Sequence, residues 1–138
     1  IIEQQCVKNV TALRLDKPRE ELCPSGYTSI AQSLINIGYV FDKQGKFNEA
    51  LNYHQRALEI REQLSPSNHD DIGNSLLNVG MCYEHLEQNQ KALDYYRQTL
   101  NIYETNHYSK EYPSRVLVEK KILDVSCKLA IEQFESIK

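Results

Sequence analysis

Apolar residues in this chain recur three or four positions apart, and the pattern is itself repeated. Leu34, Ile37, Gly38 and Phe41 stand at i, i+3, i+4 and i+7, the spacing of one face of an amphipathic helix. Gln44-Gly45-Lys46 breaks that helix, with Gly45 suited to the left-handed position after a helix end. A second stripe follows in Phe47, Ala50, Leu51, His54, Ala57, Leu58 and Ile60. Ser65-Pro66-Ser67-Asn68 ends it, because proline cannot continue a helix. The unit is a helical hairpin.

A shift of 42 residues lays this hairpin on a second one. Aligned without a gap, residues 30–60 and 72–102 share ten of 31 positions, among them Ser33/Ser75, Leu34/Leu76, Asn36/Asn78, Gly38/Gly80 and Ala50/Ala92. Leu22, Pro24 and Ser25 also precede Leu64, Pro66 and Ser67 by 42 residues, so the tail of an earlier unit is expected. A fixed period of this length marks a stacked repeat array. Gly38, Gly80, Ala50 and Ala92 fall where two helices approach too closely for a larger side chain. Thr28 or Ser29 is expected to cap the first helix, and Asp70 or Asp71 its copy. The second turn, Glu87-Gln88-Asn89, has lost the glycine.

The two ends depart from the pattern. Val118, Ile122, Val125, Leu129 and Ile131 or Phe134 predict one long helix after Pro113, which suits a first helical turn. Lys121 stands where the repeat asks for an aliphatic residue. The expected division is a partial unit over 1–25, repeats over 28–66 and 70–108, and a capping helix over 113–137 with a polar outer face. Ile2, Cys6, Val10 and Leu13 suggest a helix that Pro18 interrupts. The start at Ile1 rather than Met points to a fragment or a trimmed chain.

Composition narrows the classes. The chain's 138 residues suffice for one core, and 41% apolar with 25% charged residues is ordinary for a globular domain. A net charge of −3 gives no basic field for nucleic acid or an anionic membrane. No apolar run reaches the roughly 18 residues of a membrane span. Cys6, Cys23, Cys82 and Cys127 contain no CxxC pair, so zinc and thioredoxin readings lack support. Free buried thiols are favoured over disulfides in such an array. Asn9-Val10-Thr11 fits a glycosylation sequon, but Glu3, Gln4 and Gln5 interrupt any signal-peptide core.

Catalytic motifs are missing. His69-Asp70-Asp71 lies on the turn between units, where capping accounts for the aspartates. Glu84-His85 has no HExxH partner, since Gln88 and Asn89 follow. His54 occupies an aromatic packing position, and His107 lies in a loop. There is no P-loop, dinucleotide fingerprint or GxSxG. The chain is read as non-catalytic, with no cofactor and no metal.

The sequence resembles the tetratricopeptide repeat family. Leu34, Ile37-Gly38, Phe41, Gly45, Phe47, Ala50 and Ala57 follow its pattern, with His54 where the family has an aromatic. Leu76, Val79-Gly80, Tyr83, Ala92 and Tyr96 repeat it. The 42-residue period, with Leu34-Ile35-Asn36-Ile37 and Arg56-Ala57-Leu58-Glu59-Ile60, is similar to the kinesin-light-chain type. The resemblance implies an all-α, right-handed superhelical stack of antiparallel hairpins. It also implies that the first helix of each unit lines a concave groove.

That places a second stripe of each first helix in the groove: Gln32, Asn36, Tyr39 and Lys43, copied as Asn74, Asn78, Met81 and His85. An amide offers both donor and acceptor to a peptide backbone, so Asn36 and Asn78 lead the candidates. Tyr39 and Met81 would add apolar contact, and Lys43 and His85 some positive character. The asparagines could equally tie neighbouring helices together. The expected function is a peptide- or protein-binding scaffold in the cytoplasm, with no nucleic acid or membrane partner. A spacer or homo-oligomerisation module, or an accessory domain of a larger enzyme, remains the alternative.

Overall fold

Five helices follow one another along the chain: α1 Pro24–Lys43, α2 Phe47–Leu64, α3 His69–His85, α4 Asn89–Thr105 and α5 Pro113–Ile137. The computed structural model describes residues 24–64 and 66–137, and no strand occurs among them. The expected N-terminal unit, with Ile2, Cys6, Val10, Leu13, Pro18 and Cys23, lies outside the described residues, as does the Asn9 sequon. The fold is an all-α helical repeat stack, as the periodicity predicts.

Each helix packs chiefly on the next. Ala31, Leu34 and Ile35 of α1 close against Ala57, Ile60 and Leu64 of α2. Leu58 of α2 meets Ile72, Leu76 and Val79 of α3, which joins the two hairpins. Leu77, Ala92, Leu93, Tyr96 and Tyr103 continue the core to Val118 and Val125 of α5. The small residues act as their spacing implies: a β-carbon on Gly38 would lie 2.6 Å from the His54 ring, and one on Gly80 2.6 Å from Tyr96. Ala50 and Ala92 are fully buried at the same crossings.

The helix starts differ from expectation. α1 begins at Pro24, so Thr28 and Ser29 lie inside it rather than capping it. Proline lacks an N–H that the first turn would leave unbonded anyway. α3 is capped by Asn68, whose Oδ1 accepts from the Asp71 N–H at 3.2 Å, and not by Asp70 or Asp71. Those aspartates sit in the first turn, where the helix dipole favours negative charge. The left-handed turn position is kept in both units. Gly45 takes it with φ 76°, and Glu87, 42 residues later, takes it with φ 60°.

The third first-helix is out of register by one. Arg61 of α2 bonds Ser75, and its copy Tyr103 packs with Val118, 43 residues after Ser75. Cys82 and Val125 form the next buried pair at the same offset. The longer α4–α5 link is packed by the rings of Tyr103, Tyr108 and Tyr112. Ile122 therefore takes the place of Val79, and Lys121 is free to face the carboxylate of Glu84. The outer face of α5 is not polar as expected: Val116, Leu123, Ile131 and Phe134 are exposed on it. No helix among the described residues is long and apolar enough to cross a membrane.

Candidate partner-binding groove

The first helices of successive units, α1 and α3, line a depression of about 450 Å³ together with the start of α5. Gln32, Ile35 and Tyr39 come from α1. Asn74, Leu77, Asn78 and Met81 come from α3, and Leu117 from α5. Helical spacing brings them to one side, because residues three, four and seven apart share a face. Across the depression the Tyr39 hydroxyl donates to Asn78 Oδ1 at 3.3 Å, and at its far side Ser114 Oγ donates to Asn74 Oδ1 at 3.3 Å.

The floor is set by a buried cation from α2. Arg61 Nη1 donates to the Asp71 carbonyl at 2.9 Å and to Ser75 Oγ at 2.7 Å, and Nη2 donates to Gln32 Oε1 at 3.3 Å. The Asp71 carboxylate lies 3.9 Å away. Burial lowers the guanidinium's pKa, and Asp71 opposes that shift. An arginine stays protonated under such conditions, so Arg61 and Asp71 leave the floor close to neutral while presenting both signs.

The model of the tetratricopeptide repeat matches residues 29–105, more than half of the chain. The chain belongs to the tetratricopeptide repeat family. Repeats of this family mediate protein–protein interaction and scaffolding. No curated protein matches the chain.

Within these tetratricopeptide hairpins, five of the eight expected groove residues line one depression: Gln32, Tyr39, Asn74, Asn78 and Met81. Asn36 is exposed beside it and accepts from Gln32 Nε2 at 3.2 Å. Lys43 is exposed at the end of α1. His85 stacks on Phe47, with ring centroids 4.4 Å apart, and borders a different depression of about 630 Å³ with Glu84, Glu87, Asn89, Lys128, Ile131 and Glu132. Arg61, Asp71 and Leu117 are groove residues that the stripe reading misses. Arg61 carries a signal, since it is a cation where the second unit has Tyr103.

A second polar feature braces each tetratricopeptide hairpin. In the first, His54 Nε2 bonds Asp42 Oδ2 at 3.1 Å, and the Cys82 thiol donates to Asp42 Oδ1 at 3.5 Å. In the second, the Tyr96 hydroxyl donates to Glu84 Oε1 at 2.7 Å, and Lys128 donates to Oε2 at 2.9 Å. One carboxylate per unit thus ties its own second helix to the following unit. Burial pushes the Cys82 thiol well up, and the Asp42 charge adds to it, so the thiol stays protonated and unreactive. Burial also raises the Glu84 carboxyl, but bonds from Lys128 and Tyr96 outweigh it and hold the group below its ordinary value.

The donor atoms of Asp42, His54 and Cys82 lie within 4.8 Å of one another, so this trio has the chemistry of a metal site. The second unit performs the same bracing with Glu84, Tyr96 and lysines, a set with no soft donor. In the first unit hydrogen bonds engage His54 Nε2, both Asp42 oxygens and the Cys82 thiol, while His54 Nδ1 is buried without a hydrogen-bond partner among the described residues. Cys82 and Cys127 are free thiols, while Cys6 and Cys23 fall outside the described residues.

Proposed function

We propose that this chain is a non-catalytic scaffold whose depression between α1, α3 and α5 holds a peptide segment of a partner protein. The observation that carries the reading is the lining. Three amides, Gln32, Asn74 and Asn78, are interleaved with Tyr39, Met81 and Leu117 around the Arg61–Asp71 pair. Amides pair with a peptide backbone in either sense. Tyr and Met supply apolar contact with little demand on shape. Asn78 and Asn36 are engaged through their carbonyl oxygens, which leaves their amide N–H groups to offer a peptide carbonyl. Free Cys82 and exposed Cys127 fit a reducing compartment and a cytoplasmic location.

Peptides selected from a random display library on the immobilised chain test this. Their binding should shift backbone amide resonances of Gln32, Asn74, Asn78 and Leu117. The Asn36→Ala, Asn78→Ala double variant should stay folded and lose affinity. Full affinity in that folded variant, or shifts confined to another face, would refute the groove.

A further inference from the structure

Three side chains able to ligate a metal meet where the two hairpins join, one from each of the first three helices. Asp42 lies near the end of α1, His54 midway along α2 and Cys82 near the end of α3. The Asp42 carboxylate stands between the other two, with Oδ2 3.1 Å from His54 Nε2 and Oδ1 3.5 Å from the Cys82 sulfur. The donor atoms of all three lie within 4.8 Å of one another. Two donors on one tetrahedral zinc ion stand about 3.5 Å apart, given bonds of about 2.0–2.3 Å. The set therefore needs to draw in by only about 1 Å to hold an ion.

The next junction does not repeat the set. Tyr96 stands in place of His54, and Val125 takes the buried place of Cys82 in α5. His54 also has an uncommitted lone pair. A carboxylate only accepts, so Nε2 carries the proton shared with Asp42, and Nδ1 is left bare. That atom is buried and has no hydrogen-bond partner among the described residues. Burial lowers the imidazole's pKa and favours the neutral form, which is the one that ligates a metal. Nitrogen, sulfur and one carboxylate oxygen suit zinc, whereas magnesium and calcium prefer oxygen throughout. We propose that Asp42, His54 and Cys82 bind one zinc ion, which clamps α1 and α2 to α3. The Asp42 side chain is 27% exposed, so water can take the fourth position beside it. Binding releases the Cys82 thiol proton to solvent and forms a zinc–thiolate bond, because the ion deprotonates a coordinating thiol. Without the ion the three residues keep the hydrogen bonds described above.

Isothermal titration calorimetry of the reduced, chelator-treated whole chain with zinc chloride tests this. One ion per chain should bind, and the affinity should fall about tenfold for each pH unit lost, as one displaced thiol proton requires. Zinc at a hundredfold excess over Kd should raise the thermal midpoint by roughly 5–10 °C. Cobalt used in place of zinc should give a thiolate-to-metal charge-transfer band, kept in Cys127→Ala and lost in Cys82→Val. Cys82→Val carries the residue that α5 has at the equivalent buried place, and its helical circular dichroism should be unchanged. The Asp42→Glu, His54→Tyr variant carries the second unit's pair and should bind zinc at least about tenfold more weakly. No binding with zinc at about 100 μM overturns the proposal. So does a cobalt band as strong in Cys82→Val as in the native chain, or an affinity that the Asp42→Glu, His54→Tyr variant leaves unchanged.

Discussion

His54 and Asp42 are bonded at 3.1 Å across the first hairpin, with the imidazole so close to Gly38 that a β-carbon there would lie 2.6 Å from the ring. Only 1% of the His54 surface reaches solvent. Burial disfavours its charged form and lowers its pKa, and the bond and charge of Asp42 offset this only in part. The native state therefore binds a proton less readily than the unfolded chain does. By linkage, stability is complete above the unfolded value near 6.5 and falls as pH drops below it. The loss cannot exceed about 1.4 kcal/mol per pH unit for one proton. Urea denaturation from pH 7.5 to 5.5 should show this slope. The Asp42→Glu, His54→Tyr variant copies the second unit's pair and should flatten it. An equal slope in that variant would place the titrating group elsewhere.

Gly80 should tolerate no side chain. A β-carbon there meets Tyr96 at 2.6 Å, and that ring cannot retreat because it is fully buried and its hydroxyl is held by Glu84. Gly80→Ala should lower stability by about 1–3 kcal/mol through overpacking, against the small gain that alanine normally brings to a helix. Ala50→Leu should behave alike, since Ala50 is fully buried at the equivalent crossing of the first unit. Chemical denaturation measures both. A stabilised Gly80→Ala would mean that the crossing is looser than its geometry.

Glu87 stands at φ 60° in the turn where the first unit has Gly45 at φ 76°. A residue with a β-carbon costs about 1–2 kcal/mol in this region, and glycine avoids the clash. Glu87 is exposed. Glu87→Gly should thus stabilise the second hairpin by about 1 kcal/mol and raise the thermal midpoint by roughly 2–4 °C. Gly45→Ala should do the reverse by a similar amount. Both are read by calorimetry, and opposite signs for the two changes are the discriminating result.

The hairpins were legible in the sequence because their determinants are local and repeated: an apolar stripe, a turn, and small residues at fixed places. The helix caps were less so. Asn68 and Asp71 compete within one turn, and only backbone geometry decides which one caps. The register of α5 was obscured by its longer link, so Lys121 looked like a defect where Ile122 takes the apolar place. Gln32, Tyr39, Asn74, Asn78 and Met81 line one depression because helical spacing sorts them to one face. His85 lies apart from them, because at the end of its helix it stacks on the neighbouring Phe47 ring. Arg61 and Leu117 come from other elements, which no periodicity within a single helix can bring into view.

Arg61 and Tyr103 solve the same packing problem in two ways, and the pairing of each with its neighbour can be exchanged. Tyr103 fits because the residue it covers is Gly73, where a β-carbon would meet the ring at 2.8 Å. Arg61 stands beside Ala31, the equivalent position, and reaches past it to Asp71 and Ser75. Truncation by Arg61→Ala strands the Asp71 carbonyl and Ser75 Oγ below the groove, so a loss of about 2–4 kcal/mol is expected. Arg61→Tyr should also destabilise the fold, because its ring would strike the β-carbon of Ala31. Ala31→Gly in the same chain removes that β-carbon and should recover part of the loss, despite the roughly 1 kcal/mol that glycine costs inside a helix. A double-mutant cycle by urea denaturation measures the coupling. A favourable coupling energy would establish that the two units keep matched pairs. Simple additivity would show that Ala31 and Arg61 do not share the space that Gly73 and Tyr103 do.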